Sequence, residues 1–324
     1  MFVTLEEAKK LIEQGKVLHI AGDEDLLAQL PRGNWIGGTT PYFITDEGGI
    51  TCKDKLFVNE IAAAVECKTA VYDKSNVLNI SQDAYANGLS LLVMPFASEV
   101  AICYAQKAPD ADDILMNPTI GWISGYDLSA GGSAKAYDGL TGSVYADKAV
   151  ALHIALPEDK LAVIGIVNIF DRDDNGPKIE FMEDTLSVKT CLVDGREVVL
   201  ADYLAEHNIN TKLPLVADYN SVLVNVSIKD VSEDSKTVDF YAPVFAGKEY
   251  RFATPVNDYA ASFAEHLQGM AGVKPVFSCN CILNYLYGEL DGKATPPFAG
   301  PVTFGEVAYQ LLNQTLVYAE IIDK

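Results

Sequence analysis

Residues 149–170 read Ala-Val-Ala-Leu-His-Ile-Ala-Leu-Pro-Glu-Asp-Lys-Leu-Ala-Val-Ile-Gly-Ile-Val-Asn-Ile-Phe, and this stretch decides the fold class. Two apolar runs, 149–156 and 161–170, flank the short segment Pro157-Glu158-Asp159-Lys160. That is a hairpin-type spacing, far shorter than the dozen or more residues that a parallel crossover needs. The second run is apolar on both faces, which predicts a central strand covered on both sides. Downstream, a polar turn at 171–177 leads to strands at 178–182 and 186–193. A helix is expected at 198–206, then strands at 222–228, 238–241 and 249–252. Thr254-Pro255 reads as the opening of a helix to about Leu267. A strand at 275–278, a helix at 282–287 and paired strands at 302–312 and 314–321 close the chain.

Upstream, Thr4 and Glu7 form a capping box for a first amphipathic helix, and Asp23 caps a second short one. Strands are expected at 17–21, 64–72, 77–80 and 89–96, residues 34–43 read as a strand running into a tight loop, and a helix capped by Ser98 runs to 106. The segment 117–132 holds four glycines beside Ile120, Trp122 and Ile123, and reads as a folded loop packed on the body. Hairpin-type spacings outnumber long crossovers. The expected class is therefore α/β in the α+β sense: two lobes, 1–180 and 181–324, with mixed, largely antiparallel sheets covered by helices.

The net charge of −21 with only four scattered arginines (Arg32, Arg172, Arg196 and Arg251) opposes binding of nucleic acid, whose phosphates need clustered cations. No apolar stretch approaches the length of a spanning helix, so membrane insertion is not expected. The first residues lack a basic n-region followed by an apolar core, and six cysteines are too few for a disulfide scaffold in 324 residues. A cytoplasmic protein with free thiols is expected.

Three segments, taken together, resemble the FIST N- and C-terminal domains. Ile36-Gly37-Gly38-Thr39-Thr40, followed by the turn Asp46-Glu47-Gly48-Gly49, is similar to the family's Gly-x-Ser/Thr-Thr loop. Val193-Asp194-Gly195-Arg196 running into Ala201-Asp202-Tyr203-Leu204 resembles its strand-to-helix opening in the second half. Val276-Phe277-Ser278-Cys279-Asn280, then Gly300-Pro301-Val302-Thr303-Phe304-Gly305-Glu306 and Asn313-Gln314-Thr315-Leu316-Val317, resemble its closing elements. The resemblance spans about residues 34–322. It implies a sensory module that binds a small ligand and, having no attached output domain, acts on a separate signalling protein; a homo-oligomer is compatible with it. The family's Cys-x-Gly-Arg is Cys279-Asn280-Cys281-Ile282 in this chain, so a ligand clamped by that arginine is not expected.

The residues expected to line the ligand site are Trp35, Gly37, Gly38, Thr39, Thr40, Trp122, Cys279, Asn280, Gly305 and Glu306. Glycines let a ligand approach the backbone, the threonines offer hydroxyls, and Glu306 offers an acceptor for an amine. These polar groups favour a small neutral or cationic molecule. The competing reading is a cysteine-dependent hydrolase or transferase, in which Cys279 sits near a helix N-terminus that lowers its thiol pKa. Some relatives of the resembled family hold haem, for which His153 or His266 is the axial candidate. The stretch Asp171-Arg172-Asp173-Asp174-Asn175-Gly176 imitates half of a calcium loop, but its twelfth position is Met182 where a bidentate Glu belongs, so a β-turn is expected.

Overall fold

In the computed structural model, which describes residues 1–111, 113–219 and 222–324, the strands build four six-stranded sheets and one of three strands. All the strand pairs among the described residues are antiparallel except three. The fold is thus mixed α/β with mostly antiparallel sheets. Each parallel pair is joined through a helix: Leu18–Gly22 to Trp35–Thr39 through Glu24–Leu27, Gly88–Pro95 to Thr119–Ser124 through Glu99–Lys107, and Phe277–Cys281 to Gly300–Thr303 through Ile282–Tyr287. Local chemistry sets these helices. Asp23 accepts from the Asp25 amide, Ser98 accepts from that of Ala101, and the Thr4–Glu7 box starts the first helix as the sequence predicts.

The carboxyl ends of the three units converge. The Gly125 amide donates to Thr39 O at 2.8 Å, the Thr40 amide to Gly22 O at 3.0 Å, and the Phe304 amide to Ile123 O at 3.0 Å. The tail is woven into the first half. Gly300–Thr303 pairs with Tyr42–Thr45, Glu306–Ala308 with Thr119–Ser124, and Thr315–Asp323 with Lys160–Asn168. One apolar core accordingly runs from Ala21 to Ala319 and crosses the expected lobe division at residue 180.

Several elements differ from the sequence reading. The segment 117–132 is not all loop: Thr119–Ser124 is an interior strand, paired with Gly88–Pro95 and with Glu306–Ala308. Its glycine serves close approach rather than a turn, since a Cβ on Gly121 would lie 1.9 Å from Leu92 O. Residues 77–80 form a 3-10 turn entering the helix Ile80–Asp83, not a strand. The helix expected from Thr254 starts at Tyr259, because Asp258 supplies the cap. The tail forms a short hairpin, Glu306–Ala308 with Gln310–Leu312, and a separate long strand, Thr315–Asp323. The runs 149–156 and 161–170 belong to different sheets. The second, observed as Lys160–Asn168, is an edge strand with exposed apolar side chains rather than a covered central one. Continuous apolarity says that a strand can be covered on both faces, not that this chain alone covers it.

Candidate functional site

Glu306 is fully buried with no cation beside it. Its Oε1 lies 2.9 Å from Thr303 Oγ1, while Oε2 accepts from the Thr315 amide at 3.2 Å and from Thr315 Oγ1 at 2.8 Å. The Cys281 thiol also bonds to the carboxyl group. Burial pushes the Glu306 pKa up to about 8, outweighing the donors that favour the charged form. The hydrogen-bond pattern suits the neutral acid. Thr303 has one hydroxyl proton, and Asn280 O stands 3.2 Å away to receive it. A protonated Oε1 then donates to Thr303 Oγ1, Thr303 donates to Asn280 O, and Oε2 keeps both Thr315 donors.

This acid belongs to a buried polar spine. Asn284 Nδ2 donates to Asn280 Oδ1 at 2.8 Å, and Tyr259 OH donates to Asn284 Oδ1. Gln314 Nε2 donates to Tyr259 OH at 3.3 Å, and its Oε1 accepts from Ser227 Oγ at 2.7 Å. Thr40 Oγ1 donates to Val302 O at 2.7 Å, one residue before Thr303, and so ties the glycine-threonine segment to the same spine. Thr40 is thus joined to the strand that leads to Thr303 and Glu306, across 262 positions of sequence. Thr40, Cys279 and Glu306 are each buried in packed interior rather than set around an open hollow.

Trp122 lies on the same side. Its ring faces Gly38, where a Cβ would come within 2.9 Å of it, and its Nε1 donates to His19 Nε2 at 2.6 Å. An indole N–H can only donate, so neutral His19 carries its proton on Nδ1, and the Asn59 side-chain amide 3.2 Å away accepts it with Oδ1 turned toward the ring. Burial drives the His19 pKa down to about 3. Gly305 packs against Ile123 and Asn313 beside the acid. Trp35 and Gly37 do not join this group. Trp35 stacks on Tyr137 in a separate apolar cluster, donates to Pro31 O at 2.9 Å, and is the side chain nearest Gly37.

The Gly37–Thr40 segment does not present free donors. Gly37 and Gly38 are paired on both strand edges. Thr39 Oγ1 donates to Gly125 O and accepts from the Lys135 amide, and Thr40 Oγ1 accepts from the Tyr42 amide. Cys279 is 1% exposed and its Sγ faces Gly121 O. The expectation of a lowered thiol pKa is overturned: burial, with Glu306 adding to it, pushes both Cys279 and Cys281 well up. The following helix starts only at Ile282, with Cys281 at its cap position. Both ring nitrogens of His153 are engaged, by Ser90 Oγ at 2.8 Å and Tyr72 OH at 2.9 Å, so this residue does not fit an axial haem ligand. His266 is exposed on the helix Tyr259–Gln268, with Nδ1 at Ser262 O. No group of three or more His, Cys, Asp or Glu is placed to hold a metal among the described residues.

Open space adjoins the buried group where the carboxyl ends converge. A cleft of about 220 Å³ lies between Asp23–Asp25, Thr39–Pro41 and the loop Gly125–Ser133. Lys53 pairs with Asp127 at 2.7 Å across it, and Lys135 pairs with Glu24. The bonds from Lys53 and Ser129 hold Asp127 well below the usual carboxylate range. Four carboxylates (Asp23, Glu24, Asp25 and Asp127) thus face two ammonium groups and leave the cleft net negative. Sequence reasoning took Asp23 only as a cap and did not find Lys53 or Asp127. The available signal was the acidic run Asp23-Glu24-Asp25 placed directly after a strand. Clefts at the carboxyl ends of parallel strands are common ligand sites, because the loops there are free to vary.

No helix among the described residues is long and apolar enough to cross a membrane. No curated protein and no solved structure matches the chain. A family model described as a family of unknown function, DUF6976, matches residues 3–322, nearly the whole chain, and the protein belongs to that family.

Proposed function

We propose that the protein is a small-ligand sensory module, similar to FIST proteins, that binds a small organic cation in the cleft at Thr39–Thr40 and acts on a separate signalling protein. The observation that carries this reading is the net-negative cleft seated on the buried spine. An ammonium group entering it meets uncompensated carboxylates, and can replace the Lys53 ammonium on Asp127. The walls are coupled to the interior. Thr39 and Gly125 exchange two hydrogen bonds, and Thr40 holds Val302. Closure of the Gly125–Ser133 loop on a ligand would therefore bear on the strands around Glu306, giving differential affinity for two arrangements of the protein.

The buried Cys279 thiol gives the hydrolase or transferase reading no comparable support. Thermal denaturation against a panel of small primary and quaternary amines tests the proposal. At least one amine should raise the midpoint of the wild type, and the double substitution Asp25→Asn with Asp127→Asn should abolish that rise. If no amine shifts the wild type, or if the shift survives the double substitution, the reading is wrong.

A further inference from the structure

The edge strand Lys160–Asn168 carries an inference independent of the ligand site. It is nine residues long and lies at the end of its sheet, paired on one side only, with Thr315–Asp323. Natural edge strands are kept from pairing with other chains by shortness, charges, proline or bulges. The other sheet edges of this protein follow that rule. Among the described residues each is seven residues or shorter, and the longest of them, Glu66–Tyr72, carries Glu66 and Lys68. Residues 161–167 have none of these devices. They read Leu-Ala-Val-Ile-Gly-Ile-Val, and their register with the neighbouring strand is unbroken. Leu161, Val163 and Ile166 remain 42%, 37% and 41% exposed.

We propose that this edge pairs with the same edge of a second copy, antiparallel about a twofold axis at Gly165. Two observations specify that occupant. First, Val163-Ile164-Gly165-Ile166-Val167 reads identically in both directions. In an antiparallel pair centred on Gly165, each Val163 faces Val167 of the second copy and each Ile164 faces Ile166 of the second copy. β-branched residues then oppose β-branched residues on either side of the central glycine pair, a favourable cross-strand pairing. A twofold interface requires such self-complementarity, because the same patch serves both sides. Second, the Tyr318 ring, rooted on the adjacent strand, reaches over Gly165: a Cβ there would meet its Cζ at 2.1 Å. The ring covers the bare backbone of the central glycine and points across it toward the open edge. In the pair, the two Tyr318 rings flank two facing glycines. The charge also fits, since the only ionic group of the strand, Lys160, is already neutralised by Asp323.

Sedimentation velocity across a concentration series, at moderate salt to screen the net charge, tests this. The wild type should move from the mass of one chain to twice that mass. Val163→Lys and Ile166→Lys, each at an exposed position, should remain at one-chain mass with the wild-type far-ultraviolet spectrum. In hydrogen exchange, the alternate amides of residues 162–168 that face the open edge should slow as concentration rises. A wild type that keeps one-chain mass at every concentration overturns the proposal. So does a dimer that tolerates both lysines, or protection that appears only on another segment.

Discussion

Replacing Glu306 by Gln isolates one buried ionisation. In the folded chain the acid keeps its proton up to about pH 8, whereas in the unfolded chain it ionises around its ordinary 4.5. Folding therefore retains a proton between those values. The contribution to stability is full below about pH 4.5 and is lost as the pH rises through about 8. Between about pH 5 and about pH 8 the two states differ by close to one proton, so the loss runs at about 1.4 kcal/mol per pH unit and sums to about 3–4 kcal/mol. The variant E306Q is neutral throughout. It keeps an acceptor for the two Thr315 donors and a donor for Thr303, so its cost at about pH 5 should be small, about 1 kcal/mol.

The stability difference between the two proteins should consequently change sign. The wild type is more stable near pH 5, and E306Q is more stable near pH 8. Urea denaturation at a series of pH values, followed by the fluorescence of Trp35 and Trp122, measures both. Other titrating groups cancel in the difference. A difference that stays flat over this range would refute the reasoning. A wild type that gains on E306Q as the pH rises would show that the threonine and cysteine donors stabilise the carboxylate more than burial opposes it.

Acid should act through the histidines. Burial lowers His19 to about 3 and His153 to about 4, so the folded protein refuses protons that the unfolded chain takes up below about 6.5. In the E306Q background, which removes the opposing one-proton contribution of Glu306, stability should fall from about pH 6.5 downward with a slope approaching two protons, about 2.7 kcal/mol per pH unit, and His153→Gln should roughly halve that slope in an acid titration. Gly38→Ala should cost about 1–3 kcal/mol and disturb the near-ultraviolet signal of Trp122, because its methyl group would overlap Trp122 and Val93. Gly131→Ala, in open space at φ +73°, should cost about 1 kcal/mol by backbone strain and leave that signal unchanged.

Much of the fold was legible because local chemistry declares itself. Thr4, Asp23 and Ser98 start helices as the sequence suggests, and the hairpin spacings give the mostly antiparallel class. The errors share a cause. Gly121 looked like loop material because a sequence cannot distinguish a glycine needed for a turn from one needed where two backbones touch. The run around Gly165 looked central because apolar periodicity reports that a face is to be covered, not by what. Both distinctions depend on residues remote in the chain.

The site shows the same division more sharply. The residues of the ordered tail, Thr303, Glu306 and Thr315, do come together, but they spend their hydrogen bonds chiefly on one another. An acid buried without a cation must be satisfied completely or it destabilises the fold, so its donors cannot be exchanged freely. Such a constraint leaves a recognisable pattern whether or not any ligand touches it. The cleft residues Lys53 and Asp127 are under no such packing demand, since their pair is solvent-screened and their loop is at the surface. A motif can therefore locate a buried hydrogen-bonded hub while saying little about the residues that line the adjoining cleft. In this protein Thr40 belongs to both: its hydroxyl bonds inward to Val302, and the residue lines the cleft.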